Sequence, residues 1–280
     1  MKSLSTIINH NKKILNLLLV LVGIMHFGLL SAQDVMYMHI HRDGKEPVRH
    51  KVEVVDSITF SELPPKLLDI EGNEYFVVQI GTQIWMAENL KTQTYKNGTA
   101  IPTTSLPNDP NLGTGIYQWA YDGMEHNVPL YGRLYTWHAV VDASGICPDG
   151  WRVPTQAEFY VMRNYLRDNG YNYDGTTTGD KYAKSLASRE GWEFNGDEGT
   201  VGNTDFPKKR NSSGFTAVAS GYRGGNGVFA EKGRFAFYWT QTTGGPTNYG
   251  TQVSLRWDRA LWYSIGVQGY QGHAVRCLKE

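Results

Sequence analysis

Residues 147–159, CPDGWRVPTQAEF, carry the strongest local fold signal in the chain. Thr155 stands just before a run of apolar residues at the spacing of one helix face. Glu158 follows three residues later, the spacing of a capping box. We therefore predict a helix that begins after Thr155 and ends at Asn169-Gly170. Its apolar face is formed by Phe159, Met162 and Leu166.

Two further segments upstream and downstream have weaker helical patterns. LYGRLYTWHAVV predicts a helix or helical turn with Leu134, Trp137 and Val141 on one side. DKYAKSLAS predicts a short third segment capped by Asp180.

Strands account for most of the remaining pattern. NEYFVVQIGTQIWMAENL predicts two short strands around Gly81-Thr82, with Trp85 in the core. The chain after the helices alternates between strand-like runs and glycine loops. These runs are SGFTAVASGYR, RFAFYWTQT, YGTQVSLRW, ALWYSIGV and HAVRCLKE. Helices followed by antiparallel strands predict an α+β fold.

The N-terminus has the pattern of an export signal. Three lysines precede the apolar stretch ILNLLLVLVGIMHFGLL, and small residues at SAQ offer a cleavage site. We predict a signal peptide over residues 1–33, with an uncleaved membrane anchor as the alternative. No cysteine follows the apolar stretch, so the sequence does not predict a lipoprotein. The expected location is the periplasm, the cell surface or the extracellular space.

Composition places the other boundaries and excludes one class of partner. Residues 34–63 alternate around Arg42-Asp43-Gly44-Lys45, which predicts a small β-hairpin unit. The Pro-Pro pair in residues 64–67 predicts a linker. All eight tryptophans lie in 68–280, which we predict to be one domain. The predicted mature chain has 24 basic and 27 acidic residues, so no nucleic-acid partner is expected.

Two cysteines in an exported chain favour a disulfide between Cys147 and Cys277. The alternative is a reactive thiol, whose pKa must be lowered by a cation or a helix N-terminus. Cys147 lies eight residues before the helix cap, beyond the reach of the helix dipole.

Several segments together resemble a known bacterial family. DIEGNEYFVVQIGTQIWMAENLKTQTYKNGTAIP, PLYGRLYTWHAV, CPDGWRVPTQAEF, SGFTAVASGYR, YWTQT and HAVRCLKE occur in order. They are similar to the Fibrobacter succinogenes major paralogous domain, common in exported proteins of Bacteroidetes-type bacteria. GWRVPTQAEF and AVRC resemble, more distantly, elements of the formylglycine-generating enzyme and sulfatase-modifying group. That resemblance implies a C-type-lectin-like fold.

The activities of those groups are not implied here. The formylglycine-generating enzymes use a thiol pair, and no free pair matches it if Cys147 and Cys277 are bonded. The sugar-binding calcium lectins carry Glu-Pro-Asn or Gln-Pro-Asp and a Trp-Asn-Asp triplet, of which this chain has only Trp257-Asp258. The sequence contains no nucleophile-elbow, zinc-protease or P-loop motif, and so predicts no catalytic residue.

Potential metal ligands occur in two places. His39 and His41 share one face of a predicted strand, with His50 across the turn, but no carboxylate accompanies them. Acidic residues in the central loops offer oxygen atoms for calcium without the spacing of a calcium loop. These are Asp174, Asp180, Asp197, Glu198 and Asp205. We expect neither a metal nor a cofactor, with structural calcium as the alternative.

Aromatic and arginine residues concentrate near the C-terminus and form the predicted binding surface. They are Arg223, Tyr249, Arg256, Trp257, Arg259, Trp262, Tyr263 and Tyr270. Trp239 is expected in the core instead. Strand alternation should place Arg256 and Asp258 opposite Trp257 and Arg259. We expect a non-enzymatic recognition or adhesion protein that binds a glycan or a cell-surface protein. The alternatives are an enzyme acting outside the cytoplasm and a structural component of a surface appendage.

Overall fold

The structure is a computed structural model that describes residues 66–105 and 114–280, together with the backbone of strands 36–42 and 45–52. The chain divides into two compact units, Met1–Glu62 and Leu63–Glu280. The predicted signal peptide and residues 64–65 of the predicted linker lie outside the described residues. No described helix is long and apolar enough to cross a membrane.

The first unit contains one antiparallel hairpin. Strand β1 (Met36–Arg42) pairs with strand β2 (Lys45–Val52) from Met36 opposite Val52 to Arg42 opposite Lys45. The register shifts between Ile40 and Arg42, beside the predicted turn.

The second unit is mixed α+β, with many short strands and few helices. Its strands are β3 (Leu67–Leu68), β4 (Glu74–Tyr75), β5 (Val77–Ile80), β6 (Gln83–Met86), β7 (Gln118–Ala120), β8 (Arg133–Tyr135), β9 (Trp151–Arg152), β10 (Ser220–Arg223), β11 (Phe229–Lys232), β12 (Phe235–Thr243), β13 (Tyr249–Arg256), β14 (Tyr263–Gln268) and β15 (Leu278–Lys279). Its α-helices are α1 (Val128–Tyr131), α2 (Trp137–Val140), α3 (Gln156–Asp168) and α4 (Ala183–Leu186).

Two sheets organise this unit. The larger has the strand order β11-β10-β12-β13-β14, in which only the β10–β12 pairing is parallel. The smaller has the order β5-β6-β15-β9, so the last strand of the chain lies between strands from its beginning and middle. The α+β prediction is confirmed at this level.

Helix α3 forms as its sequence predicts. The Thr155 hydroxyl accepts from the Glu158 backbone N–H at 3.2 Å, and the Glu158 carboxylate accepts from the Thr155 backbone N–H at 2.8 Å. These two bonds complete the predicted capping box. Phe159, Met162 and Leu166 are all buried in the core cluster between α3 and the larger sheet.

The two weaker helix predictions need correction. LYGRLYTWHAVV does not form one helix, because Gly132 separates α1 from strand β8. Leu134 and Trp137 consequently belong to different core clusters, and Val141 is exposed. The third segment does contain α4, but the residue before it is Tyr182 and no side chain caps it, so the Asp180 cap is wrong.

The C-terminal segment connects the parts of this unit. His273 exchanges backbone hydrogen bonds with Tyr135, Ala274 bonds the backbone of β12, and Leu278 pairs with Trp85 of β6. The disulfide between Cys147 and Cys277, with a Cα–Cα distance of 5.9 Å, fixes the same segment to the chain before α3. Both cysteines are buried, and no described cysteine is free.

Arg276 fills the centre of this connection. Its fully buried guanidinium donates to Asn89 Oδ1 at 2.7 Å and to the backbone carbonyls of Met86, Phe215 and Thr216. A buried charge is costly unless its donors are satisfied. The bonds to four residues on two segments therefore make Arg276 a structural residue.

Candidate functional site

The predicted binding residues fall into three groups in the structure. Arg256, Trp257, Arg259 and Tyr263 come together at one end of the larger sheet. Trp262 and Arg223 do not belong to this surface, because they are only 4% and 2% exposed. Trp262 packs edge-on against Phe159 and Tyr182, and Arg223 lies over the Trp119 ring at 4.2 Å. The remaining two, Tyr249 and Tyr270, make no ring contact or hydrogen bond with the first group among the described residues.

Tyr249 is separated from Arg256 by the length of strand β13. The two residues are its first and last positions, and a strand rises about 3.3 Å per residue, which puts them roughly 23 Å apart. Tyr270 instead lies against Gly225, where a Cβ atom would come within 2.5 Å of its ring.

One face of the larger sheet forms a surface that we call the sheet platform. It consists of Tyr222, Phe235, Phe237, Arg256, Tyr263 and Ile265. Alternation along β12 places Phe235 and Phe237 on this face, while Ala236 and Tyr238 point into the core. Register then places Arg256 opposite Phe235, and Tyr263 in the same row as Phe237.

The rings of the platform are arranged in parallel and edge contacts. Phe235 and Phe237 are stacked, with centroids 4.9 Å apart and an interplanar angle of 5°. Tyr222 packs edge-on against Phe237 at 5.5 Å, and Trp257 packs edge-on against Phe235 at 5.5 Å. Tyr263 is 40% exposed and Ile265 is 58% exposed, so the face is open to solvent on this side.

Asp258 holds two arginines at the edge of the platform. It accepts two hydrogen bonds from Arg256, at 3.0 and 3.1 Å, and lies 3.2 Å from the Arg259 guanidinium. Arg256 also lies over the Phe235 ring at 5.1 Å. Arg259 donates to the Tyr263 hydroxyl at 3.2 Å, and this bond raises the pKa of Arg259. The guanidinium planes are therefore fixed while part of each stays exposed.

The predicted alternation of residues 256–259 agrees with the side shared by Arg256 and Asp258 but is wrong for Arg259. Strand β13 ends at Arg256, and the chain turns immediately afterwards. Arg256 and Asp258 are joined by hydrogen bonds to each other, and Arg259 turns toward Asp258 as well. A strict two-residue period applies only to extended backbone.

Sequence reasoning missed four members of the platform: Tyr222, Phe235, Phe237 and Ile265. The alternation in RFAFYW predicts that Phe235 and Phe237 share one face. It does not indicate whether that face is covered, which depends on how the C-terminal segment crosses the sheet.

His273 forms the covered end of the same aromatic row. Its ring stacks on Phe237 at 5.1 Å and on Trp239 at 4.3 Å. Burial lowers the pKa of His273 to about 3, so the imidazole is neutral. Trp239 is fully buried and donates its indole N–H to the Tyr135 carbonyl. The prediction that Trp239 lies in the core is thus confirmed.

Two of the acidic loop residues, Asp174 and Asp205, form ion pairs with lysines. The buried Lys184 ammonium donates to the carbonyls of Asn203, at 2.7 Å, and Asp205, at 2.9 Å, and also to the Asp205 carboxylate. Lys181 bonds Asp174, and this contact lowers the pKa of Asp174 to about 2. A lysine ammonium thus stands where oxygen ligands converge, which disfavours calcium at Asp205.

No metal cluster is present in the part of the chain that the structure describes. His39, His41 and His50 lie on β1 and β2, whose side chains are outside that part. Glu158 accepts from Arg152 and from the Thr155 backbone, and the Arg152 bond is the main reason its pKa is lowered. The contacts of Glu158 are those of a helix cap.

The fold and surface define the class of protein only in outline: a disulfide-linked α+β domain with an aromatic and arginine face. Comparison with known families is more specific. The model of the Fibrobacter succinogenes major domain matches residues 78–279, and the chain belongs to this family. Neither the curated proteins nor the solved structures contain a match to the chain.

Proposed function

We propose that the protein is an exported recognition protein that binds a glycan through the sheet platform. The observation that carries this proposal is the half-buried row of Phe235 and Phe237, with the exposed ring of Tyr263 beside it and the fixed guanidinium of Arg256 at its border. Flat aromatic rings bind the apolar faces of sugar rings, and planar arginines donate paired hydrogen bonds to hydroxyl or carboxylate oxygens.

The domain is proposed to have a C-type-lectin-like fold. Such folds have helices beside a twisted antiparallel sheet, a long loop region and a bridge from the helix region to the last strand. Helix α3 against the larger sheet, the long loops of residues 187–219 and the Cys147–Cys277 bridge agree with that plan. The bridge also agrees with a location in an oxidising compartment outside the cytoplasm.

A glycan array probed with the full chain tests the binding function. We expect binding to specific glycans that weakens at least about tenfold in Tyr263→Ala, because few aromatic contacts dominate such surfaces. Phe76→Ala is the matched control, since Phe76 is an equally open aromatic residue outside the platform. Equal binding by the wild type and Tyr263→Ala would place the binding site elsewhere. Binding to surface proteins but to no glycan would replace the proposed ligand class.

A further inference from the structure

A small pocket beside the platform differs from it in shape and charge. It has a volume of about 240 Å³, and we call it the Trp192 pocket. Its lining residues are Arg189, Glu190, Trp192, Gly202, Thr204, Pro207 and Arg210. Drug-sized ligands occupy pockets of about 300–1,000 Å³, so this one suits a single ring.

The pocket is built on a loop that cations hold in place. The Arg210 guanidinium donates to the carbonyls of Ser188, at 3.2 Å, and Asn203, at 2.9 Å, and to that of Val201. Trp192 is anchored through its indole N–H, which donates to Ser188 Oγ at 3.0 Å. Gly202 donates to the Trp257 carbonyl at 2.6 Å. The pocket is therefore formed before any ligand arrives, which reduces the ordering cost of binding.

Positive charge in the pocket exceeds the negative charge of its lining. Arg210 is half-buried, and no carboxylate lies within ion-pair distance of it among the described residues. Burial lowers the pKa of the Arg210 guanidinium, and the Asp205 carboxylate, which binds the Lys184 ammonium, offsets this lowering only in part. Arg189 is exposed and makes no hydrogen bond or ion pair with any described residue. With Glu190 as the one acidic lining residue, the pocket has a net charge of +1.

We propose that the Trp192 pocket binds a hexose that carries one anionic substituent, a carboxylate or a sulfate. The anion pairs with the free Arg189 guanidinium and offsets the buried charge of Arg210. The sugar ring lies against the indole of Trp192 and the ring of Pro207, and Glu190 and Thr204 offer acceptors for its hydroxyl groups. A free inorganic anion would make no contact with the rings of Trp192 and Pro207.

A chain of side-chain contacts links the pocket to the sheet platform. Glu193, next to Trp192, bonds Arg234 at 2.7 Å, and Arg234 lies over the Trp257 ring at 5.2 Å. Trp257 in turn contacts Phe235 of the platform. We expect one acidic polysaccharide chain to span the Trp192 pocket and the sheet platform, and this point alone rests on the proposed function.

Calorimetry with the full chain tests the pocket by itself. The probes are galacturonic acid, galactose 6-sulfate and neutral galactose. We expect the two anionic sugars to bind more tightly than galactose, and their affinity to fall as salt is added. Arg189→Gln should weaken the anionic sugars about tenfold and leave galactose unchanged, because it removes one charge-assisted hydrogen bond. Lys208→Gln, an exposed charge change outside the lining, is the matched control.

Three results would overturn the assignment. The first is equal affinity for galactose and galacturonic acid. The others are an Arg189→Gln variant with wild-type affinity for the anionic sugars, or a Lys208→Gln variant that loses as much of that affinity as Arg189→Gln. Binding of an acidic peptide without either sugar would overturn it too. The platform variant Tyr263→Ala separates the two proposals. It should retain single-sugar binding in the pocket while losing affinity for a galacturonate oligomer. If Tyr263→Ala keeps both single-sugar binding and affinity for the oligomer, the proposed function is contradicted but the pocket assignment is not.

Discussion

Single residues in this domain show how burial changes side-chain chemistry. His273 and Arg276 are three positions apart in the C-terminal segment, and both are almost fully buried. The arginine satisfies its donors with carbonyl and amide oxygens, and so remains charged. The histidine has stacked rings on its faces and one hydrogen bond, with Gln271. Because histidine can lose its charge at moderate pH, desolvation makes it neutral instead.

His273 therefore makes folding depend on pH. Its pKa is about 3 in the folded protein, against an ordinary value of 6.5. Between these values the unfolded chain binds the extra proton, so the free energy of unfolding falls as pH drops below about 6.5. One such proton changes it by up to about 1.4 kcal/mol per pH unit.

The His273→Phe variant should remove this slope while keeping the ring stack. Denaturant unfolding between pH 5 and 7.5 measures it, in a window where most carboxylates stay ionised. The same substitution at His126, which is exposed, should retain the wild-type slope. A wild-type slope in His273→Phe would show that other groups produce the pH dependence.

Elements differ in how much of their structure a local pattern contains. The capping box of α3 was predictable because its partners, Thr155 and Glu158, are three residues apart. The segment around Leu134 has similar apolar spacing yet forms a strand. There the backbone at Gly132 has a φ of +69° and lies so close to Asn89 that a Cβ would come within 2.5 Å. A contact with a residue over forty positions away overrides the local helical pattern.

The candidate site was predictable only in part for a related reason. Both Trp262 and Tyr263 were predicted on the binding surface, although neighbours in an extended chain face opposite sides. The alternation does not say which side is the core. Helix α3 packs on the side of Trp262 and buries it, and Tyr263 is left on the platform. The residue types of the surface were thus predictable from the sequence. Which particular residues lie on it depends on long-range packing.

Removal of the helix cap gives a prediction for the element that was best foreseen. Thr155→Ala should lower the free energy of unfolding by about 1 kcal/mol, because the Glu158 backbone N–H loses its acceptor. Urea denaturation measures the change. Thr247→Ala is the matched control, since exposed Thr247 makes no side-chain hydrogen bond with described residues, and it should stay within about 0.5 kcal/mol of the wild type. If both substitutions change the free energy of unfolding equally, the Thr155 cap does not stabilise the helix.

The second unit as a whole depends on its last residues. The C-terminal segment contacts β8, β12, β6 and β9 in turn, so strands that are far apart in sequence meet around it. Such long-range pairing has a large entropic cost in the unfolded chain. The Cys147–Cys277 bond joins residues 130 positions apart and reduces that cost by restricting the unfolded state.

The double variant Cys147→Ala, Cys277→Ala should therefore lose about 4–5 kcal/mol of unfolding free energy in the chain-entropy account. Guanidinium denaturation of both proteins measures it, with reductant as the control, because reductant should leave the double variant unchanged. In the folded wild type the two sulfur-bearing residues are 2% and 0% exposed, so reduction should be slow until the protein unfolds. Rapid alkylation of both cysteines in the folded protein without a reductant would show that the bond is absent. An unchanged free energy of unfolding in the double variant would show instead that packing around Arg276 holds the C-terminal segment without it.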